Sequence, residues 1–257
     1  MLLYTILICF LAGMGAGLGT GFAGMSAAAV ISPMLATFLD MDPYLAVGIA
    51  LASDVLASAV SAYTYGKNKN LDIKNGFVMM AAVLCFTVLG SFVANNVGKT
   101  TMGSFSVFMT MLLGIKFIVK PVMTTKEARA GKSKRRQITE SVICGTLIGF
   151  ICGFVGAGGG MMMLMILTSV LGYELKTAVG TSVFIMTFTA LTGSVSHFAL
   201  GGMPDITVLI LCVLFTLLWA RLAALWANKA TPKMLNRITG VILTVLGSVI
   251  LIVNYVK

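Results

Sequence analysis

"GLGTGFAGMS" occupies residues 17–26 and "GFICGFVGAGGG" occupies residues 149–160, each within a strongly apolar stretch. A glycine inside a helix costs about 1 kcal/mol relative to alanine, so two such clusters need a cause. A constant offset of 132 residues pairs Gly17 with Gly149, Gly21-Phe22 with Gly153-Phe154, and Gly24 with Gly156. The same offset pairs "AVG" at 46–48 with "AVG" at 178–180, and one inserted residue brings "LDI" (71–73) onto "PDI" (204–206). The chain reads as two copies of one unit.

Composition sets the class. Of 257 residues, 58% are hydrophobic and 10% charged, with a mean hydropathy of +1.01, against about 25% charged in soluble domains. Apolar runs of bilayer-spanning length, about 20 residues each, recur along the chain. Strand-like alternation is absent, so the spans are helices: lipid forces each segment to satisfy its own backbone groups. The expectation is an all-α integral membrane protein. The net charge of +10 is concentrated in "KEARAGKSKRRQ" (126–137), which reads as a positive-inside signal and not as a nucleic-acid surface. Cys9, Cys85, Cys144, Cys152 and Cys212 show no metal or redox spacing and read as packing residues. The first 17 residues lack the basic start of a secretory leader, and their glycine-rich end recurs in the second half, so they read as structure.

Each half divides into five apolar elements: near 1–18, 22–39, 43–66, 75–97 and 101–120, then near 138–152, 157–172, 175–200, 205–228 and 232–256. This gives a first membrane repeat (1–120), a basic linker (121–137) and a second repeat (138–257). The loop with Lys67, Lys69 and Lys74 has a lysine-free counterpart, "LGGMPD". One element later the contrast reverses, Lys99 alone against Lys229, Lys233 and Arg237. Equivalent loops thus prefer opposite sides. The repeats are expected to be inverted, with both termini outside and 66–74, 121–137 and 228–237 in the cytoplasm.

Inverted repeats build transporters whose substrate site, formed by discontinuous helices, lies near the midplane. A helix that starts inside the membrane offers free N–H groups and a partial positive charge, and glycine lets its backbone approach an anion closely. Gly21, Gly24 and Ser26, the last as an N-cap, and Gly156, Gly158, Gly159 and Gly160 are therefore candidate substrate residues. The competing explanation is that small residues let helices pack closely. The first two elements of each half read equally as a re-entrant hairpin or as two short crossings.

Charges at membrane depth are costly and point to function. Asp54, Ser58, Ser61 and Tyr65 share one helical face and form a candidate proton or polar pathway. His197 aligns with Tyr65 in the repeat. Arg221 lies two turns from a helix end, where it either snorkels or attracts an anion.

Residues 153–205 resemble the signature half-repeat of the TauE/SafE sulfite exporter family: a Gly-rich turn, an apolar helix, an "AvGTS" motif, and a histidine before a Gly-x-(Val/Ile)-Asp-like loop. Gly156, Gly158, Gly159, Gly160, Gly180, Thr181, Ser182, His197 and Asp205 meet that pattern, and 21–73 is a degenerate first copy. There Ile49 and Ala50 replace the Thr and Ser, leaving Ser53 as the nearest hydroxyl. The resemblance implies a carrier of sulfite or organosulfonates, with Thr181, Ser182 and Ser53 near the substrate. The expected function is a secondary permease for such anions, with proton coupling through Asp54 as one option. A carrier for a neutral, cationic or carboxylate solute, and an anion channel, stay open, as does homo-oligomer formation. No cofactor is expected, since neither a nucleotide motif nor metal-ligand spacing is visible, and a single histidine argues against an enzyme.

Overall fold

The first helix runs through the glycines that were expected to break it. In the computed structural model, which describes residues 2–94, 115–116, 118–121, 133–155 and 159–255, Leu2–Ala23 is one helix, α1. After a four-residue interruption come α2 (Ala28–Phe38), α3 (Pro43–Lys67) and α4 (Ile73–Ala94). The second half supplies α5 (Lys134–Val155), α6 (Gly159–Ser169), α7 (Leu175–Gly201), α8 (Ile206–Lys229) and α9 (Pro232–Tyr255). No strand occurs among the described residues. Among them, α1, α3, α7 and α8 contain spans long and apolar enough to cross a membrane. Most of the fifth element, 101–120, lies outside the described residues. α5 begins at Lys134, within the segment expected as the basic linker, of which 122–132 lie outside the described residues.

Glycine explains the tightest helix pair. A Cβ on Gly13 would lie 2.6 Å from Phe215 Cβ, one on Gly17 2.7 Å from Trp219 Cβ, and one on Gly21 2.5 Å from Ala223 Cβ. Four residues on along α1 is four residues on along α8, so the two helices run parallel in near-backbone contact. The second half repeats the arrangement: Gly145 and Gly149 of α5 meet Met79 and Val83 of α4, where an added Cβ would lie 2.8 and 2.5 Å from their carbonyl oxygens. Gly145 and Gly149 stand 132 residues after Gly13 and Gly17. The glycines at 13, 17 and 21 are therefore small because a neighbouring helix needs the room.

The two long central helices, α3 and α7, cross antiparallel. Gly48, early in α3, faces His197 and Phe198 late in α7, while Gly180, early in α7, faces Tyr65 late in α3. Asp42, Asp72 and Asp205 each accept backbone N–H groups at the starts of α3, α4 and α8, the usual N-cap chemistry. Asp72 and Asp205 are the paired aspartates of "LDI" and "PDI".

Candidate transport site

The chain breaks at residues 24–27. Gly24 adopts φ +60, a left-handed conformation open to glycine at little cost, and its N–H donates to Thr20 O at 2.9 Å to end α1. Four carbonyls at this end, where the helix leaves them without amide partners, each receive a hydroxyl. Tyr65 donates to Gly21 O (2.8 Å), Thr239 to Phe22 O (3.1 Å), Ser182 to Gly24 O (2.8 Å) and Thr20 to Met25 O (3.0 Å). These hydroxyls come from α3, α9, α7 and α1 itself, so the broken end joins both halves of the chain.

The tip sits well inside the helix bundle. Ser182 and Thr239 are each seven residues past the first residue of α7 and α9, about 10 Å in at 1.5 Å per residue. From the tip, α2 runs back alongside α3 toward its start, because Ser26 meets Asp54 and residues 39–42 lead directly into Pro43. At 11 residues, about 16 Å, α2 is too short to cross alone. α1 is long enough to span a membrane and α2 turns back from its end against α3, so the first two elements form a helical hairpin of unequal arms.

Across the break, α2 begins against a carboxylate. Ser26 Oγ accepts the Ala28 N–H (3.3 Å) and donates to Asp54 Oδ2 (2.8 Å), while Ser58 Oγ donates to Asp54 Oδ1 (2.9 Å). Asp54, Ser26, Ser53, Ser58, Ser61 and Tyr65 are all buried. An intramembrane helix start attracts negative charge, and at α2 that charge is the protein's own.

The other candidate residues divide. Ser53 Oγ donates to Ile49 O within its own helix, a bond open to any helical serine. Ser61 Oγ faces the same side as Asp54, fully buried and with no hydrogen-bond partner. Thr181 Oγ1 accepts the Asp72 N–H at 3.2 Å, placing it at the α3–α4 loop and not at the hairpin tip. His197 lies at the far end of the α3–α7 crossing, its ring stacked on Tyr44 at 4.2 Å and its Nδ1 3.1 Å from Tyr44 O. Arg221 is exposed on the face of α8 that carries the exposed Leu214, Leu218 and Leu225, which suits snorkelling. Gly156 and Gly158 lie outside the described residues, and Gly159 and Gly160 open α6. Thr20, Tyr173 and Thr239 were not legible as site residues: a lone hydroxyl in an apolar helix gives no sequence signal until its acceptor is known.

Comparison with known proteins gives the family. The family model described as "Sulfite exporter TauE/SafE" matches residues 9–250. A probable membrane transporter protein of Bacillus subtilis, YunE, is 26% identical over 198 residues, 72% of each chain. One from Methanocaldococcus jannaschii is 24% identical, covering 90% of this chain and 87% of the relative. A second from Bacillus subtilis, YdhB, is 22% identical over 87% of this chain and 89% of its own. With the family model covering nearly the whole chain, the protein belongs to the TauE/SafE family of multi-pass membrane transporters.

Proposed function

We propose that this protein is a secondary transporter, not an enzyme, for small sulfur-containing anions such as sulfite or organosulfonates, coupled to protons through Asp54. The observation that carries the reading is the buried Asp54 carboxylate held beside the start of α2 by Ser26 and Ser58. Buried ionisable groups at this depth mark ion pathways and proton relays. While Asp54 is ionised, it occupies the positive end of α2 and repels a second anion. Once it takes a proton, that repulsion is gone and the Ser26 hydroxyl, no longer held by a carboxylate, can turn to a substrate anion at the positive end of α2. Proton and anion would then load together.

The carrier would be built from two inverted repeats, 1–120 and 138–257, joined by the linker at 121–137. The antiparallel crossing of α3 and α7 supports this, since these helices occupy equivalent places in the two halves. So does the exchange of partners, α1 on α8 in one half and α5 on α4 in the other. Rocking of one repeat against the other would alternate access to the hairpin tip. The protein would sit in the cytoplasmic membrane with both termini outside and the lysine-rich loops inside.

The test is flux into proteoliposomes with sulfite, an organosulfonate, a carboxylate and a neutral solute as separate substrates. Saturable uptake of the sulfur anions, accelerated by an imposed pH gradient, is expected. Uptake that never saturates would make the protein a channel. Preference for the carboxylate or the neutral solute would overturn the substrate class.

A further inference from the structure

The two ends of the α3–α7 crossing are built from equivalent residues but fastened differently. At one end the α3–α4 loop is bonded to the second half. The Asp72 N–H donates to Thr181 Oγ1 (3.2 Å), Tyr173 OH donates to Asp72 Oδ2 (2.9 Å), and Asn70 Nδ2 donates to Asn228 Oδ1 (2.7 Å). The fit is close enough that a Cβ on Gly180 would fall 2.0 Å from Asn70 O. At the other end the α7–α8 loop also carries a positive φ, +83 at Gly202 against +58 at its counterpart Lys69. Yet a Cβ on Gly202 would meet nothing within 4 Å, Met203 is 82% exposed, and Asp205 bonds the Thr207 and Val208 amides of its own helix, which leaves His197 on Tyr44 (Nδ1 to O, 3.1 Å) to join α7 and α3 there and no bond from the α7–α8 loop itself among the described residues.

The difference traces to single positions. Thr181 corresponds to Ile49, Ser182 to Ala50 and Tyr173 to Met41, and none of these counterparts carries a side-chain hydroxyl. Thr181 and Ser182 thus hold the α3–α4 loop and the hairpin tip, two first-half segments, against α7 of the second half.

We infer that Thr181, Tyr173 and Asp72 form a one-sided latch that closes the Lys69 side of the transporter, so that its resting form opens toward the Asp205 side. The inference rests on the transporter reading, because a latch matters only if access alternates. A hydroxyl pair at one end, answered by Ile49 and Met41 at the other, biases two otherwise similar conformations by the worth of those bonds.

The test uses the full chain with its five cysteines replaced and one reporter, Ser61→Cys, which displaces no hydrogen bond. A membrane-impermeant maleimide is applied from the Lys69 side of oriented proteoliposomes. Thr181→Val and Tyr173→Phe should each raise the labelling rate several-fold, up to about tenfold, the factor that one hydrogen bond commands. If Thr181→Val lowers the melting temperature, Tyr173→Phe, which loses only an oxygen, carries the comparison. Unchanged labelling in a well-folded Tyr173→Phe protein overturns the latch. Flux measured in the same vesicles separates the two readings: labelling that rises without any anion flux keeps the latch and removes the transport assignment, whereas flux with unchanged labelling does the reverse.

Discussion

Ser26 Oγ donates to Asp54 Oδ2 at 2.8 Å across 28 positions of sequence, so the first residue of the α2 turn and the middle of α3 share one buried carboxylate. Ser58 holds the second oxygen at 2.9 Å. The pair ties the Asp54 carboxylate to the hairpin tip, where the proposed anion site lies. Asp54→Asn keeps an acceptor for one serine and leaves a site that cannot change charge. Its flux should lose its dependence on an imposed pH gradient while expression stays normal. Full retention of that dependence would remove Asp54 from coupling.

Gly24 should tolerate substitution poorly for two separate reasons. Its φ of +60 costs an alanine about 1–2 kcal/mol, and the added Cβ would lie 3.1 Å from Ser182 Cβ. Gly24→Ala is expected to lower both the melting temperature and transport. Ser182→Ala leaves Gly24 O without its donor, a loss of about 1–3 kcal/mol for a buried polar group. Thermal melts of both variants beside wild type decide this, and an unshifted Ser182→Ala melt would show that the tip is held by other contacts.

The helix-contact glycines should act through stability. In Gly21→Ala and Gly149→Ala the new methyl group would meet atoms of the partner helix at 2.5 Å, and overpacking of this kind costs about 1–3 kcal/mol. Gly66→Ala is the control, because its closest neighbour is the flexible end of Leu71 at 3.3 Å. Melting points should fall by several degrees in the first two and little in the third. Transport by whatever Gly21→Ala protein folds should keep its substrate affinity; a selective loss of affinity would return Gly21 to the binding site.

Topology is open to a direct measurement. Cysteines placed at Lys69 and Lys233 should react with an impermeant reagent only from the cytoplasmic side, and one at Asp205 only from outside. Labelling of 69 and 205 from the same face is incompatible with inverted repeats.

Much of this was legible before any coordinates. Helical class follows from hydropathy, because lipid leaves a spanning segment no other way to satisfy its backbone. The interruption near residue 24 was visible as a glycine cluster, and Asp54 stood out because an ionisable residue in an apolar run is costly. The cluster was misread in one respect. Gly17 and Gly21 lie inside α1, since a glycine required for close packing and a glycine required for a turn look alike as letters.

What the chain by itself determined is therefore local: where helices form, which residues cap them, and that a carboxylate must be buried in α3. Tertiary structure decided the partners. Only once α1 lay on α8 could Gly21 be recognised as a contact with Ala223, and only once α3 crossed α7 did Thr181 find Asp72 and Ser182 find Gly24. The reason is physical. Hydropathy and capping act between near neighbours, whereas a hydroxyl's acceptor or a glycine's opposing backbone lies on another helix, more than 100 positions away in the Thr181–Asp72 and Ser182–Gly24 pairs.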